Sequence, residues 1–338
     1  MTIAEYMRHC LQDPEHGYYK KQRAIGGQAD FITAPEVSQL FGELIAIWVI
    51  DTWQKIGTPP AFSLIELGPG RGTLMDDVLR TIEKVAPICL NAIHLHLVDI
   101  NTTLIERQKE RLAIYPIKKF WHSSLDTTGG GPFILVANEF LDALPIRQYQ
   151  FTEKGWTERL VGLDENEDLI IGLAPADKNV IPPIDPQIGD ILEVSADMQD
   201  VITSLLARMN YHESTALFVD YGRIAPAFGD TFQALKKHQK ASPFETPGEA
   251  DLTAHVDFYT LAQVAQMGGQ KTHLTTQGEF LLQMGLLERA GQLGATLPIE
   301  AQEKIRNDVE RLAAPNQMGE LFKVMAITGK DVVPHGFA

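Results

Sequence analysis

The chain has little cysteine. Cys10 and Cys89 are the only two among 338 residues. They show neither CxxC nor metal-ligand spacing, which argues against a disulfide scaffold or a cysteine zinc site and leaves reduced core thiols. Long apolar runs are also missing. The best candidate, "LFGELIAIWVIDTW", is interrupted by Glu43 and Asp51. It falls short of the roughly 18–20 residues of a membrane span and reads as a buried helix. Positive charge is scarce, with 29 basic against 44 acidic residues and a formal net charge of −15. General nucleic-acid binding usually needs the opposite balance. The N-terminus "MTIAEYMRHCLQDPEHGYY" has no basic leader followed by an apolar stretch and no Arg-rich transit character. The expected location is therefore the bacterial cytoplasm, without membrane insertion.

What is present is enough for a full core. With 44% hydrophobic residues, the length predicts one large α/β domain with a smaller lobe. Residues 1–30 read as polar and turn-rich. In "FITAPEVSQLFGELIAIWVIDTWQKIG" (31–57) a loop leads into a helix, with Pro35 and Glu36 in its first turn and Gly57 at its end. Strands at 63–67, 93–100, 117–123 and 133–138 alternate with helices at 73–86 and 102–113. On the first of these helices Leu74, Val78, Ile82 and Val85 share a face. That alternation implies a parallel sheet covered on both faces. From 146 to about 180 short alternating segments predict an antiparallel β insertion, followed by a proline-rich linker and a helix near 196–210. "TALFVDYG" (215–222) reads as a buried parallel-type strand. Residues 229–258 read as a turn-rich excursion, and the C-terminal third as helices closing on a strand at 321–328.

The segment "SLIELGPGRGTLM" (63–75) carries the chemistry. Gly68, Gly70 and Gly72 follow a strand and precede a helix, the setting in which backbone approaches a ligand closely at a helix N-terminus. The spacing is not the Gly-x-Gly-x-x-Gly of dinucleotide sites, and no Gly-Lys-Ser/Thr is present. Glu66 beneath the loop suits a cationic ligand such as the amino-acid moiety of S-adenosyl-L-methionine, with helix capping as its other reading. Asp99 ends the next strand, where it can accept from ribose hydroxyls or cap helix 102–113. Ser124, Leu125 and Asp126 fall after the third strand, at the expected adenine position or in a plain loop. Asn138 and Glu139 end the fourth strand abruptly, where a transferred methyl would lie. Asp142 follows, as a further candidate or as a turn cap before Pro145. His255 beside Asp251 and Asp257 lacks a third zinc ligand and reads as structural or substrate-positioning. His94 and His96 read as sheet-packing residues. No metal site is expected.

The blocks "ADFITAPEVSQLFGELIAIW", "ELGPGRGTLM", "HLVDIN", "ANEFLDALPIRQ", "LFVDYG", "PGEADLTAHVDF" and "LFKVMAITG" together resemble the MidA family of class I S-adenosyl-L-methionine-dependent methyltransferases. The blocks run in order over nearly the whole chain. This chain reads Ala29-Asp30-Phe31 where the family tends to Gly-Asp-Phe, and Val98-Asp99 where it tends to Val-Glu. Relatives also commonly carry residues ahead of "MTIAEYM". The resemblance implies a Rossmann-like, mostly parallel sheet with an antiparallel C-terminal strand. An N-terminal helical lobe (1–57) would cover the cofactor, an inserted β/α substrate lobe would span 146–212, and the core would comprise 58–145 and 213–338. It further implies methylation of an arginine in a protein, with a subunit of respiratory complex I as the partner. A homodimer is compatible with this reading.

Thr33, Pro35 and Glu36 are then expected to close over S-adenosyl-L-methionine beside Glu66, Gly68, Gly70, Gly72 and Asp99, with plain helix capping as their other reading. Glu139 and Asp142, aided by Asn138, are the candidate acceptor carboxylates, with Glu36 and Asp220 as second choices; Asp220 ends the fifth strand with Tyr221 and has pairing with a cation or capping a turn as its other reading. A small-molecule acceptor, another protein side chain, or a non-catalytic assembly factor that keeps the fold remain as alternatives. Nucleic-acid amino-methylation is disfavoured, because Asn138-Glu139-Phe140-Leu141 lacks the prolines of the Asn/Asp-Pro-Pro-Tyr/Phe motif.

Overall fold

A capping box starts the chain. Thr2 Oγ1 accepts from the backbone N–H of Glu5 at 3.1 Å, and Glu5 Oε2 accepts from Thr2 N at 2.7 Å. The helix it opens, α1 (Ile3–Gln12), buries Ile3, Tyr6, Met7, Cys10 and Leu11. The turn-rich reading of residues 1–30 is corrected here: polar Glu5, Arg8 and His9 dilute an apolar face that still repeats at helical spacing. The computed structural model describes residues 1–20, 33–176, 180–236, 239–329 and 332–337; Ala29-Asp30-Phe31 lie outside the described residues.

Two helices stand where one was expected, α2 (Ala34–Val37) and α3 (Gln39–Lys55). Ser38 separates them with extended backbone, and its side chain caps α3 by accepting from Leu40 N. The expected alternation follows in β1 (Phe62–Leu67), α4 (Thr73–Val85), α5 (Pro87–Ala92), β2 (Ile93–Val98), α6 (Thr102–Leu112), β3 (Lys118–His122) and β4 (Phe133–Asn138), with α5 as an addition. Val85 is 58% exposed rather than on the buried face of α4. It is the helix's last residue, where Ala86 and Pro87 turn the chain into α5, and Met75 and Leu79 supply the packing instead.

Strands β5 (Arg147–Thr152), β6 (Gly155–Leu163), β7 (Leu169–Pro175) and β8 (Ile191–Val194) make a separate antiparallel sheet in the order β7-β6-β5-β8. Helix α7 (Ala196–Met209) leads into β9 (Thr215–Arg223). The excursion at 229–258 is more ordered than expected. Among its residues β10 (Gln233–Lys236), β11 (Gln239–Ala241) and β12 (Asp251–Thr253) form a small sheet, and β13 (Val256–Asp257) pairs parallel with β9. The C-terminal part comprises α8 (Phe258–Met267), β14 (Lys271–Thr276), α9 (Gln277–Gln283), α10 (Leu286–Gly294), α11 (Ile299–Ala313) and β15 (Phe322–Thr328). Strand β14 was not expected. Its sequence "KTHLTT" is mostly polar, as an edge strand tolerates.

The main sheet runs β14-β15-β9-β4-β1-β2-β3, parallel from β9 to β3, with β15 antiparallel to β9. Alternate residues of its central strands face opposite apolar layers. Leu64, Ile134 and Leu217 pack with Phe41 and Trp48 of α3, while Ile65, Leu135 and Phe218 pack with Ile202 of α7 and Phe258 of α8. Burial on both faces explains the near-continuous apolar strands. Because β1 lies between β2 and β4, the crossover connections diverge there, and a crevice is expected above the carboxyl ends of β1 and β4.

Backbone approach is severe where β13 meets the main sheet. A Cβ on Gly222 would lie 2.1 Å from the carbonyl oxygen of Val256, where β13 joins β9. Gly222→Ala is expected to lower the unfolding free energy by about 1–3 kcal/mol. A urea titration should show an earlier midpoint with an unchanged slope.

Candidate active site

A cavity of about 570 Å³ opens at that crevice, a size suited to a small-molecule ligand. The glycine loop forms one wall. Gly68 and Gly70 adopt left-handed φ of 62° and 53°, line the cavity and let the chain turn sharply off β1. Gly72 does not line it. With φ 74° it is the N-cap of α4, and a Cβ there would face Gln108 of α6 at 3.6 Å. Its expected place against the cofactor is therefore corrected: its left-handed turn starts the helix and lets α4 and α6 approach.

Glu66 lies 3% exposed at the end of β1, lines the cavity, and has no hydrogen-bond partner on Oε2 among the described residues. Burial, reinforced by Asp99, pushes its carboxyl up to about 8. Asp99 holds the edge of β2: Oδ1 accepts from Asn101 N at 2.8 Å and Oδ2 from Gln108 Nε2 at 2.8 Å. It does not cap α6; Asn101 does, accepting from the N–H groups of Thr103 and Leu104. Gln108 also donates to the carbonyl of Gly70 at 2.8 Å, tying the loop to Asp99. Ser124, Leu125 and Asp126 line the cavity beyond β3, with Ser124 accepting from Asp126 N.

The opposite wall is the turn after β4. Glu139 has φ 50°, unusual for a residue with a side chain. Its N–H donates to the carbonyl of Val219 at 2.9 Å, and its Oε1 accepts from Ala34 N at 3.1 Å and Asn138 Nδ2 at 3.2 Å. Burial and then Asp142 push its carboxyl up to about 8. Asp142 is 5% exposed; Tyr221 donates its hydroxyl to Oδ2, while Oδ1 has no partner among the described residues. Burial raises its carboxyl against the opposing pull of that hydroxyl.

Asn138, Glu139 and Asp142 all line the cavity, together with Thr33, Pro35 and Glu36 from the segment that starts α2. Glu36 pairs with Arg71 of the glycine loop at 3.3 Å. Asp220 is elsewhere. It is 1% exposed, absent from the cavity lining, and receives the N–H groups of Leu141 and Asp142 on Oδ2 at 3.0 and 3.2 Å. Of its two readings, acceptor carboxylate or turn cap, the hydrogen bonds favour the one that holds the turn. His255 also lies off the cavity, edge-on to Tyr221. His96 stacks on His122 within the sheet region, as a packing residue would.

Several lining residues were missed. Tyr19 donates to Asp251 Oδ1 at 2.9 Å, and its carbonyl accepts from Asn101 Nδ2. Asp197 and Asp200 of α7 reach the cavity as well. No local motif marks these positions, although the Tyr18-Tyr19 pair in a polar stretch was a signal of burial. In all, nine acidic side chains line the cavity against one cation, Arg71, among the described residues. Such a wall favours a cationic occupant.

Comparisons with known proteins agree with the geometry. Residues 44–276 match a family model described as "Putative S-adenosyl-L-methionine-dependent methyltransferase". The protein arginine methyltransferase NDUFAF7 homolog, mitochondrial, of Drosophila melanogaster is 35% identical over 359 residues, covering 97% of this chain and 81% of its own length. The Homo sapiens protein arginine methyltransferase NDUFAF7, mitochondrial, is 34% identical over 354 residues, covering 97% and 80%. A crystal structure from Burkholderia thailandensis bound to S-adenosyl-homocysteine superposes with a TM-score of 0.85 at 26% identity, covering 99% of this chain and 89% of that one.

Proposed function

The chain belongs to this family of S-adenosyl-L-methionine-dependent methyltransferases, and on that premise we propose that it methylates an arginine side chain of a protein. The observation that carries the reading is the pairing at the cavity wall. Glu139 and Asp142 are each anchored through one oxygen, Oε1 and Oδ2, in the cavity that also contains the glycine loop.

The cofactor, when bound, supplies an electrophilic methyl group. The buried, unpartnered Oε2 of Glu66 fits its ammonium, and Asp99 at the edge of β2 fits its ribose. Gly68 and Gly70 let the backbone approach, and Glu36, by pairing with Arg71, fastens the covering segment over the loop. The acceptor guanidinium is cationic at neutral pH. Glu139 and Asp142 hold two of its nitrogens and leave the third for the methyl, so alignment supplies much of the rate. One proton must leave as the new N–C bond forms. The bound guanidinium favours the ionised form of Glu139, whose carboxyl burial otherwise raises to about 8, and that basic carboxylate is placed to receive it. The family resemblance supports a respiratory complex I subunit as the protein substrate. Among the described residues no helix is long and apolar enough to cross a membrane.

The test uses labelled S-adenosyl-L-methionine and lysate from a strain lacking the gene. Label should enter protein and, after acid hydrolysis, appear in methylarginine. Label confined to small molecules, or to other amino acids, contradicts the proposal.

Glu66 gives a pH prediction. At pH 7 a carboxyl raised to about 8 is mostly protonated. A cation beside it favours the ionised form and expels the proton, so affinity should rise between pH 6 and 7.5. Calorimetry of S-adenosyl-homocysteine binding in buffers of different ionisation enthalpy should record proton release at pH 7, lost in Glu66→Gln. Equal release from the variant would place the titrating group elsewhere.

A further inference from the structure

Two neighbouring residues of β9 act on the turn after β4 at different points. Asp220 fixes its backbone: Oδ2 accepts from Leu141 N and Asp142 N, and Oδ1 accepts from Tyr221 N at 3.0 Å. Ala254 N adds a bond to the carbonyl of Asp142 at 3.0 Å. Tyr221 acts on the side chain, giving its hydroxyl to Asp142 Oδ2 from 79 residues away in sequence. Its ring is held edge-on by Phe322 of β15 at 5.5 Å and by His255 at 5.4 Å, so the hydroxyl has little freedom. The ring does not line the cavity; the carboxylate that it touches does.

We propose that Tyr221 is a positioning residue for methyl transfer, binding Oδ2 of Asp142 and leaving Oδ1, which has no partner among the described residues, for the acceptor. The proposal rests on the reading of Asp142 as an acceptor carboxylate. A carboxylate free to rotate can take a guanidinium through both oxygens, which engages two of its three nitrogens on one partner. With Oδ2 of Asp142 tied to Tyr221, and Oε1 of Glu139 tied to Ala34 and Asn138, the other oxygen of each carboxylate is the one left with both lone pairs for the acceptor. The guanidinium is then held between two residues, and its orientation is fixed by their separation. The third nitrogen is left for the incoming methyl.

Tyr221→Phe keeps the ring and removes only the donor. The titratable groups around Asp142 are Tyr221 and Asp220 of β9, Glu139 on its own turn, and Tyr19 from the N-terminal segment. Asp251 lies behind Tyr19, and His255 faces the Tyr221 ring. The hydroxyl favours the ionised form of Asp142, so its loss should raise that carboxyl.

Initial rates of label transfer from S-adenosyl-L-methionine into lysate protein are expected to fall about 10- to 100-fold in Tyr221→Phe, with the acid limb of the pH profile moved up by about one pH unit. Binding of S-adenosyl-homocysteine by calorimetry should stay within about twofold. In an Asp142→Asn background the tyrosine change should add no more than about twofold, because both act through one carboxylate. An unmoved pH profile, a full additional loss in that background, or weakened S-adenosyl-homocysteine binding would overturn the assignment. If the wild-type protein labels no protein, the acceptor reading fails first. Carbon-13 carboxyl NMR of the S-adenosyl-homocysteine complex, with Asp142 assigned by Asp142→Asn, then decides for Tyr221. An upward-moved titration in Tyr221→Phe supports the hydrogen-bonded lock, and an unchanged one sinks it.

Discussion

Glu139→Gln is expected to slow methyl transfer by a factor of about 10² to 10⁴ while S-adenosyl-homocysteine binds within about threefold of normal. The amide keeps an oxygen to accept from Ala34 N and Asn138 Nδ2, so the turn should stay closed. What it loses is the negative charge and the capacity to take a proton. The position is held at some cost. A left-handed backbone at a non-glycine residue persists only when its surroundings over-determine it, and here the bonds to Val219, Ala34 and Asn138 do so. Glu139→Ala would not separate the roles, since it also frees the segment at Ala34. Label incorporation for the rate and calorimetry for binding check the glutamine variant together. A rate within fivefold of wild type would remove Glu139 from the chemistry.

Gly70→Val should have the largest effect on the cofactor, weakening S-adenosyl-homocysteine at least about 100-fold. Gly70 lines the cavity at φ 53°, and its carbonyl accepts from Gln108, which also holds Asp99. A β-branched residue resists that φ, so the loop must open and disturb both anchors. Gly72→Ala is the informative control. Its φ of 74° brings strain as well, yet a methyl there faces Gln108 at 3.6 Å, off the cavity. It should lower thermal stability modestly and leave affinity within a few-fold. Calorimetry on both variants, with circular dichroism to confirm folding, separates the two. Equal losses from Gly70 and Gly72 would mean that the loop acts through the fold rather than at the ligand.

The parts legible in the sequence are those governed by local pattern. Strands β1, β2 and β4 are buried on both faces and read as apolar runs, and α4 announces itself through the glycine turn before it. Glu66 and Asp99 stood out because each ends such a strand with a carboxylate. Other features depend on partners distant in sequence. Nothing near Asp142 signals that Tyr221 will reach it, and the end of a buried strand does not decide whether Asp220 faces the cavity or turns inward to hold backbone. The polar edge strand β14 carries no apolar alternation, and the small sheet of β10 to β12 is spread over turn-forming residues. Helix α1 was legible in principle, since Thr2 and Glu5 form a capping-box spacing ahead of Ile3, Tyr6, Met7 and Cys10. Gly72 was grouped with its neighbours because spacing alone does not tell a ligand-facing glycine from one that starts a helix.

The central claim is that one cavity holds both the cofactor over the glycine loop and the acceptor between Glu139 and Asp142. A crystal structure of this chain with S-adenosyl-homocysteine tests it most directly. The amino group is expected beside Glu66, the ribose hydroxyls on Asp99, and the sulfur turned toward the wall formed by Glu139 and Asp142. A ligand lying with its sulfur directed away from those two carboxylates, or bound outside this cavity, would contradict it.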